Sequence, residues 1–270
     1  MASFRVGPNE LYYERSGAGE PLLLIMGMSG THLTWGEPFL DALRRDFEVV
    51  IYDHRGMGRS GRTEPPFTIA DLADDAVALL DELGWDSAHV CGISMGGMVA
   101  QELVLRHPQR VRTLTLGCTY AGGASATLTS PEVGQRLGEA MMSGDRERAI
   151  RTGWEVNVSR AFAADEDQYT EFRRRAVEVP ANLPTIMAQI QAIQPHDTSA
   201  RLSEISVPTL VIHGTDDEML SYRNGEAIAQ AIPGARAEIL DGIGHLFFWE
   251  EPDRSAALIR EHALAHASAG

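Results

Sequence analysis

Short apolar runs rich in Val, Ile and Leu recur along the chain, separated by stretches in which apolar residues return at helical spacing. Leu11–Glu14, Pro21–Met26, Glu48–Asp53, Ala88–Cys91, Thr113–Gly117, Thr209–His213 and Ala237–Leu240 read as strands. Most of these runs are continuous rather than alternating, the pattern of parallel strands covered on both faces. Thr68 to Leu83 is the clearest helix. Ile69, Leu72, Ala73, Ala76, Leu79, Leu80 and Leu83 share one face, Thr68 and Asp71 make a capping-box pattern, and Gly84 ends it. Met95 to Arg106 is a second helix, closed before His107-Pro108. Strands alternating with helices predict a doubly wound α/β sheet.

The alternation breaks between about Tyr120 and Ala200. No strand-like run occurs there. Helical segments are expected near Pro131–Met142, Asp145–Val158, Asp165–Val179 and Leu183–Ile193, divided by Gly and Pro. The strand pattern resumes at Val207-Pro208-Thr209. The expected organisation is an α/β core made of residues 1–119 and 201–270, with a helical cap (residues 120–200) inserted over a site.

Charge and composition narrow the function classes. With 38 acidic and 23 basic side chains the formal net charge is −15, which argues against nucleic acid and anionic membranes as partners. Arg173-Arg174-Arg175, the nearest thing to a basic cluster, sits among Asp165, Glu166, Asp167 and Glu171 and reads as a solvated helix face. Two cysteines, Cys91 and Cys118, make no disulfide framework, and no apolar h-region follows Met1, so a cytoplasmic location is expected. The longest apolar run, Leu22 to Met26, is too short to span a bilayer.

The strongest chemical signal is Gly92-Ile93-Ser94-Met95-Gly96, which follows an apolar strand and opens a helix. In that context G-x-S-x-G is a nucleophile elbow. The turn is sharp, its end positions need small residues, and the serine is exposed beside a helix N-terminus. A serine needs a base. Of the nine histidines, His245 stands in the flexible loop Gly242-Ile243-Gly244-His245 just after the last strand. His32 lies in an early loop, His213 belongs to a strand, and the other six read as structural or surface residues. The base in turn needs an acid to hold its tautomer. His213-Gly214-Thr215-Asp216-Asp217 offers two acids in the turn after a strand, giving the order Ser94, Asp216 or Asp217, His245.

These residues resemble the α/β-hydrolase family, and the likeness covers nearly the whole chain outside the cap. The resemblance implies a mostly parallel eight-stranded sheet with helices on both faces. The family's Gly-x-x-Asp spacing selects Asp217, three after Gly214. Gly244-His245 with Glu250 and Pro252 is similar to its histidine segment, and Asp53-His54-Arg55-Gly56-Met57-Gly58-Arg59-Ser60 to its D-x-R-G-x-G-x-S segment. Gly56, Gly58 and Gly61 also satisfy a dinucleotide fingerprint, but Arg62-Thr63-Glu64-Pro65-Pro66 cannot start the helix that fingerprint requires, so no NAD is expected. The family usually carries His-Gly at the oxyanion strand end. Here Met26-Gly27-Met28 stands in its place, and the implied oxyanion donors are the backbone N–H groups of Met28 and Met95.

Ser rather than Asp at the elbow implies an acyl-enzyme route. The segment from Ser94 to Gln101 resembles enol-lactonases, and the Met-Gly oxyanion segment is similar to that of polyketide methylesterases. The expected activity is hydrolysis of a small carboxylic ester or lactone without cofactor or metal. Trp154, Phe162 and Met187 are candidates for lining the pocket, with Met141, Met142, Tyr169 and Phe172 beside them. The same helical spacing also suits a core internal to the cap. The same triad serves perhydrolases (often named haloperoxidases) and carbon–carbon bond hydrolases, and the fold also serves small-molecule receptors. Composition leaves open whether the chain pairs as a homodimer.

Overall fold

The protein is described here by a computed structural model covering residues 2–124, 126–179 and 182–266. Its centre is an eight-stranded sheet: β1 Ala2–Val6, β2 Asn9–Gly17, β3 Glu20–Ile25, β4 Phe47–Tyr52, β5 Ala88–Ile93, β6 Val111–Gly117, β7 Thr209–Gly214 and β8 Arg236–Leu240. The spatial order is β1-β2-β4-β3-β5-β6-β7-β8. Strands β3 to β8 pair in parallel, while β1 and β2 form an antiparallel hairpin added at one edge.

Continuous apolar runs become buried strands because successive side chains feed two cores. Leu23, Ile25, Val50 and Val90 point into one, against α2 Ile69–Glu82 and α3 Met95–Arg106. Leu22, Leu24, Val49, Ile51, Cys91 and Ile93 point into the other, against α1 Glu37–Leu43 and α11 Pro252–Ala265. The Thr68 capping box is present: Thr68 Oγ1 accepts from the Asp71 N–H, and the Asp71 carboxylate accepts from the Thr68 N–H.

Two differences from the sequence reading concern the sheet edge and three helices of the core. Strand β1 has a single buried residue, Phe4, so it lacks the apolar run that marks the others. Helices α1, α9 Arg223–Ala231 and α11 are too short or too mixed in pattern to stand out before their partners are known.

Between β6 and β7 the chain runs through α4 Pro131–Met142, α5 Arg146–Asn157, α6 Arg160–Ala163, α7 Glu166–Glu178 and α8 Leu183–Ile193, with no strand among the described residues. Ser130, Asp145, Ser159 and Asp165 cap α4 to α7 with side-chain oxygens on backbone N–H groups. Among the described residues no helix is long and apolar enough to cross a membrane.

Candidate active site

Parallel register brings the C-terminal ends of β3, β5, β6 and β7 to one edge, where Ile25 pairs with Gly92, Ile93 with Gly117 and Gly117 with Ile212. The chain leaves β3 for β4 on one side and β5 returns on the other, so the gap between β3 and β5 is a topological switch point. Open α/β sheets bind ligands there. Ser94 stands on the β5 side of it and Gly27 on the β3 side. A Cβ on Gly27 would lie 3.0 Å from Ser94 Cβ.

Ser94 has φ +56 and ψ −121, a strained backbone for a serine, between β5 and α3. The turn is held from outside: the Ser94 N–H donates to the Gly117 carbonyl at 2.8 Å, and Thr119 Oγ1 donates to the Ser94 carbonyl at 2.7 Å. The flanking glycines are required by close approach. A Cβ on Gly92 would sit 2.2 Å from the Gly96 carbonyl oxygen, and one on Gly96 would sit 2.0 Å from that of Ile25.

Asp217 lies in the turn after β7, fully buried in its side chain, and accepts from four groups. His245 Nδ1–H reaches Oδ2 at 2.7 Å, His213 Nε2–H reaches the same oxygen at 3.0 Å, and the Met219 and Leu220 N–H groups each reach Oδ1 at 2.8 Å. Burial by itself would raise this carboxyl, but the charge of His245 and the bonds from both imidazoles outweigh it and hold it well below the usual carboxylate range. Asp217 is therefore ionised at neutral pH. It fixes His245 in the Nδ1–H tautomer, leaving Nε2 as the basic nitrogen. Asp216, the other acid of the turn, has an exposed contact with Thr215 and none with His245.

The residues just after His245 pack against Gly117 at the end of β6, whose carbonyl accepts from the Ser94 N–H. Phe247 in α10 Phe247–Glu250 lies where a Cβ on Gly117 would be 2.8 Å from its ring. Glu250 anchors the loop: its Oε1 accepts from the Gly244 N–H at 2.8 Å and from the Ser159 N–H at 2.8 Å, and the Leu246 N–H donates to the Asn157 carbonyl at 2.7 Å. The histidine loop and the start of α6 are thus tied together. Burial raises the Glu250 carboxyl, and those same hydrogen bonds oppose the rise.

Three groups at this site carry no local sequence signal, because each acts on a residue distant in the chain or hidden inside an apolar run. His213, within β7, is the second imidazole on Asp217, and its Nε2–H is shared with the Leu220 carbonyl at 2.8 Å. Gln189 on α8 accepts from the Ser29 N–H at 3.0 Å. Cys118, after β6, lies with Asp217 and His245 so that their donor atoms are within 4.8 Å of one another. That is the geometry of a metal cluster, but the chemistry of the donors does not suit a cation. Burial, then the Asp217 charge, push the Cys118 thiol well above its ordinary value, and Asp217 and His245 already satisfy each other.

The predicted pocket residues separate. Trp154 is fully buried in an aromatic cluster, its ring centroid 5.5 Å from Phe162, 5.1 Å from Phe172, 6.4 Å from Tyr169 and 6.0 Å from Trp249. Phe162 is partly buried against the same core. Met187 is 46% exposed on α8. Met95 is buried at the first turn of α3, and Met28 is half-buried in the loop after β3. The D-x-R-G segment is a brace: Arg55 makes two 2.7 Å bonds to Asp75 of α2, while Asp53 accepts from the His32 and Arg59 N–H groups at 2.6 and 2.8 Å.

Residues 20–252 match the family profile described as alpha/beta hydrolase fold. A protein of Azorhizobium caulinodans named "Putative carbamate hydrolase RutD" is 33% identical over 250 residues, spanning 92% of both chains. Among solved structures, a hydrolase from Pseudomonas aeruginosa PA01 is 30% identical with a TM-score of 0.84 over 97% of both chains. The enol-lactonase from Burkholderia xenovorans LB400 is 28% identical with a TM-score of 0.85 over 97% of this chain and 100% of its own. With a mostly parallel eight-stranded sheet, a serine at the strained turn after β5 and kinship over nearly its whole length, this chain belongs to the alpha/beta hydrolase family.

Proposed function

We propose that this hydrolase cleaves a carboxylic ester or lactone through an acyl-enzyme intermediate, with Ser94 as nucleophile, His245 as base and Asp217 as the acid that orients it. The observation that carries the reading is the buried 2.7 Å bond to Asp217 Oδ2 from Nδ1 of His245, which stands just before Phe247. Phe247 packs against Gly117, the β6 residue whose carbonyl accepts from the Ser94 N–H. Ser94 Oγ attacks the carbonyl as His245 Nε2 takes its proton, and the imidazolium is stabilised by ionised Asp217. The oxyanion is held by the Met28 and Met95 N–H groups, the second at the N-terminus of α3. His245 then protonates the departing alcohol, and a water activated by the same nitrogen releases the acid. Helices α4 to α8 act as the cap that selects the substrate, a small molecule. No step calls for a cofactor.

Initial rates on p-nitrophenyl esters, methyl esters and lactones, with Ser94→Ala as the blank, test the reading. Ser94-dependent turnover and labelling of Ser94 by a fluorophosphonate are expected. A protein that does neither is not a serine hydrolase. The curated relative's name adds carbamates as a second substrate class. A carbamate presents the same trigonal carbonyl to the same nucleophile, and turnover of carbamates in preference to esters decides for it.

A further inference from the structure

The loop that presents Met28 is a four-residue turn, closed by the Gly30 N–H on the Gly27 carbonyl at 3.4 Å. Ser29, the third residue, has φ +62, while Met28 keeps a negative φ. That is the type II pattern, whose third position normally belongs to glycine because a side chain there is strained. Rotating the central peptide to the type I form would relieve Ser29 and turn its N–H to the opposite side. One hydrogen bond opposes that rotation: the Ser29 N–H donates to Gln189 Oε1 at 3.0 Å.

Gln189 is fully buried, and its Nε2 has no hydrogen-bond partner among the described residues. An unsatisfied buried amide is costly, and an apolar side chain of similar length would fill the same space without that cost. What Gln189 supplies that Met or Leu cannot is the acceptor for Ser29. The acceptor is also well anchored. Ala188 and Ala192 on either side of it pack into the core, and Thr185 Oγ1 donates to the Gly56 carbonyl at 3.2 Å.

We infer that Gln189 is a positioning residue through which the helical insertion tethers the oxyanion turn: its bond to the Ser29 N–H holds the Met28–Ser29 peptide in the type II form and ties the whole turn, the Met28 N–H included, to α8, so that without it the turn is freer to shift from the Ser94 site. The inference rests on the serine-hydrolase reading above. It makes the hole complete only when α8 is seated on the core.

Gln189→Met removes the acceptor while keeping volume. It should lower kcat on a p-nitrophenyl ester roughly tenfold to a hundredfold, less than the loss of a whole oxyanion donor, with KM moving less than about threefold. The rate of Ser94 labelling by a fluorophosphonate should fall in step. Adding Ser29→Gly, which accepts positive φ without strain, should recover most of the loss. Gln189→Glu, which keeps an acceptor for Ser29, should retain far more kcat than Gln189→Met and serves if the latter does not fold. Wild-type rates in Gln189→Met overturn the inference, as does a loss that Ser29→Gly does not recover or that Gln189→Glu shares in full. If wild-type protein shows neither turnover nor labelling, the serine-hydrolase reading itself fails and this inference falls with it. If only the Gln189 variants behave unexpectedly, that reading stands.

Discussion

The parallel core and the helical insertion hold their residues in place by different means. Strands β5 and β7 are buried along their whole length, and each strand residue is gripped by a neighbouring strand and a covering helix. In the insertion, α5 buries only Trp154 and Val156, and α7 only Tyr169 and Arg175. Their surfaces carry ion pairs instead: Arg151 with Glu166, Arg173 with Glu147, and Arg174 with Glu171. Exposed pairs of this kind contribute little, so the insertion depends on its aromatic hub and on a few ties to the core. A group that must not move belongs at the end of a core strand, and a surface that selects among substrates can be built on the looser layer.

The largest expected effect sits on the rigid side. Ser94→Ala should reduce turnover on the order of 10⁵-fold or more and abolish fluorophosphonate labelling, while leaving the thermal midpoint near that of the wild type. A residual rate near wild type would remove Ser94 from the mechanism. Asp217→Asn should cost roughly 10³–10⁴-fold, because His245 then loses the acceptor that fixes its tautomer. Asp216→Asn, one residue away and exposed, should change the rate little. Equal losses in the two variants would show that the turn as a whole, rather than the bond to His245, is what counts.

On the looser side, Trp154→Ala should cost about 3–5 kcal/mol, the range for truncating a fully buried Trp. The cost should be local: hydrogen exchange should accelerate in α5 and α7 while the amides of β5 and β7 keep their protection. Uniform loss of protection would mean that insertion and core open as one unit, and the contrast drawn above would fail.

A pH titration probes buried histidines on both sides of the comparison. Burial lowers His89 in β5, His262 in α11 and His196 after α8 to about 4 each, below the ordinary value of about 6.5. The unfolded chain therefore takes up these protons first. Stability should be fully present above about pH 6.5 and should decline as pH falls towards 4. The urea midpoint across that window measures it. His89→Gln should flatten the dependence, and an unchanged slope would mean that His89 is not buried neutral. The smallest effect is expected from Arg173→Ala, whose pair with Glu147 is solvent-exposed, with no measurable shift in the thermal midpoint.

Much of this was legible in order along the chain. Seven of the eight strands, the capped helix after Thr68 and the four longer helices of the insertion follow from local periodicity and capping residues, because burial on two faces or on one leaves a different mark in each. Strand β1 escaped because a hairpin edge needs only Phe4 buried. The pocket candidates were legible only as apolar positions at helical spacing. Periodicity says that Trp154 is buried but not against what, and its neighbours prove to be Phe162, Phe172 and Trp249.

The sequence by itself determined the α/β alternation and the elbow around Ser94, since each depends on steric or hydrophobic demands a few residues long; the choice of Asp217 over Asp216 as the partner proposed for His245 came from the family resemblance. Only the tertiary structure decided which groups share Asp217, that Cys118 stands beside it, and that Gln189 reaches Ser29 across 160 residues of chain. Hydrogen bonds between distant segments have no periodicity to betray them. They exist because parallel register aligns the strand ends and because α8 settles over the loop they leave open.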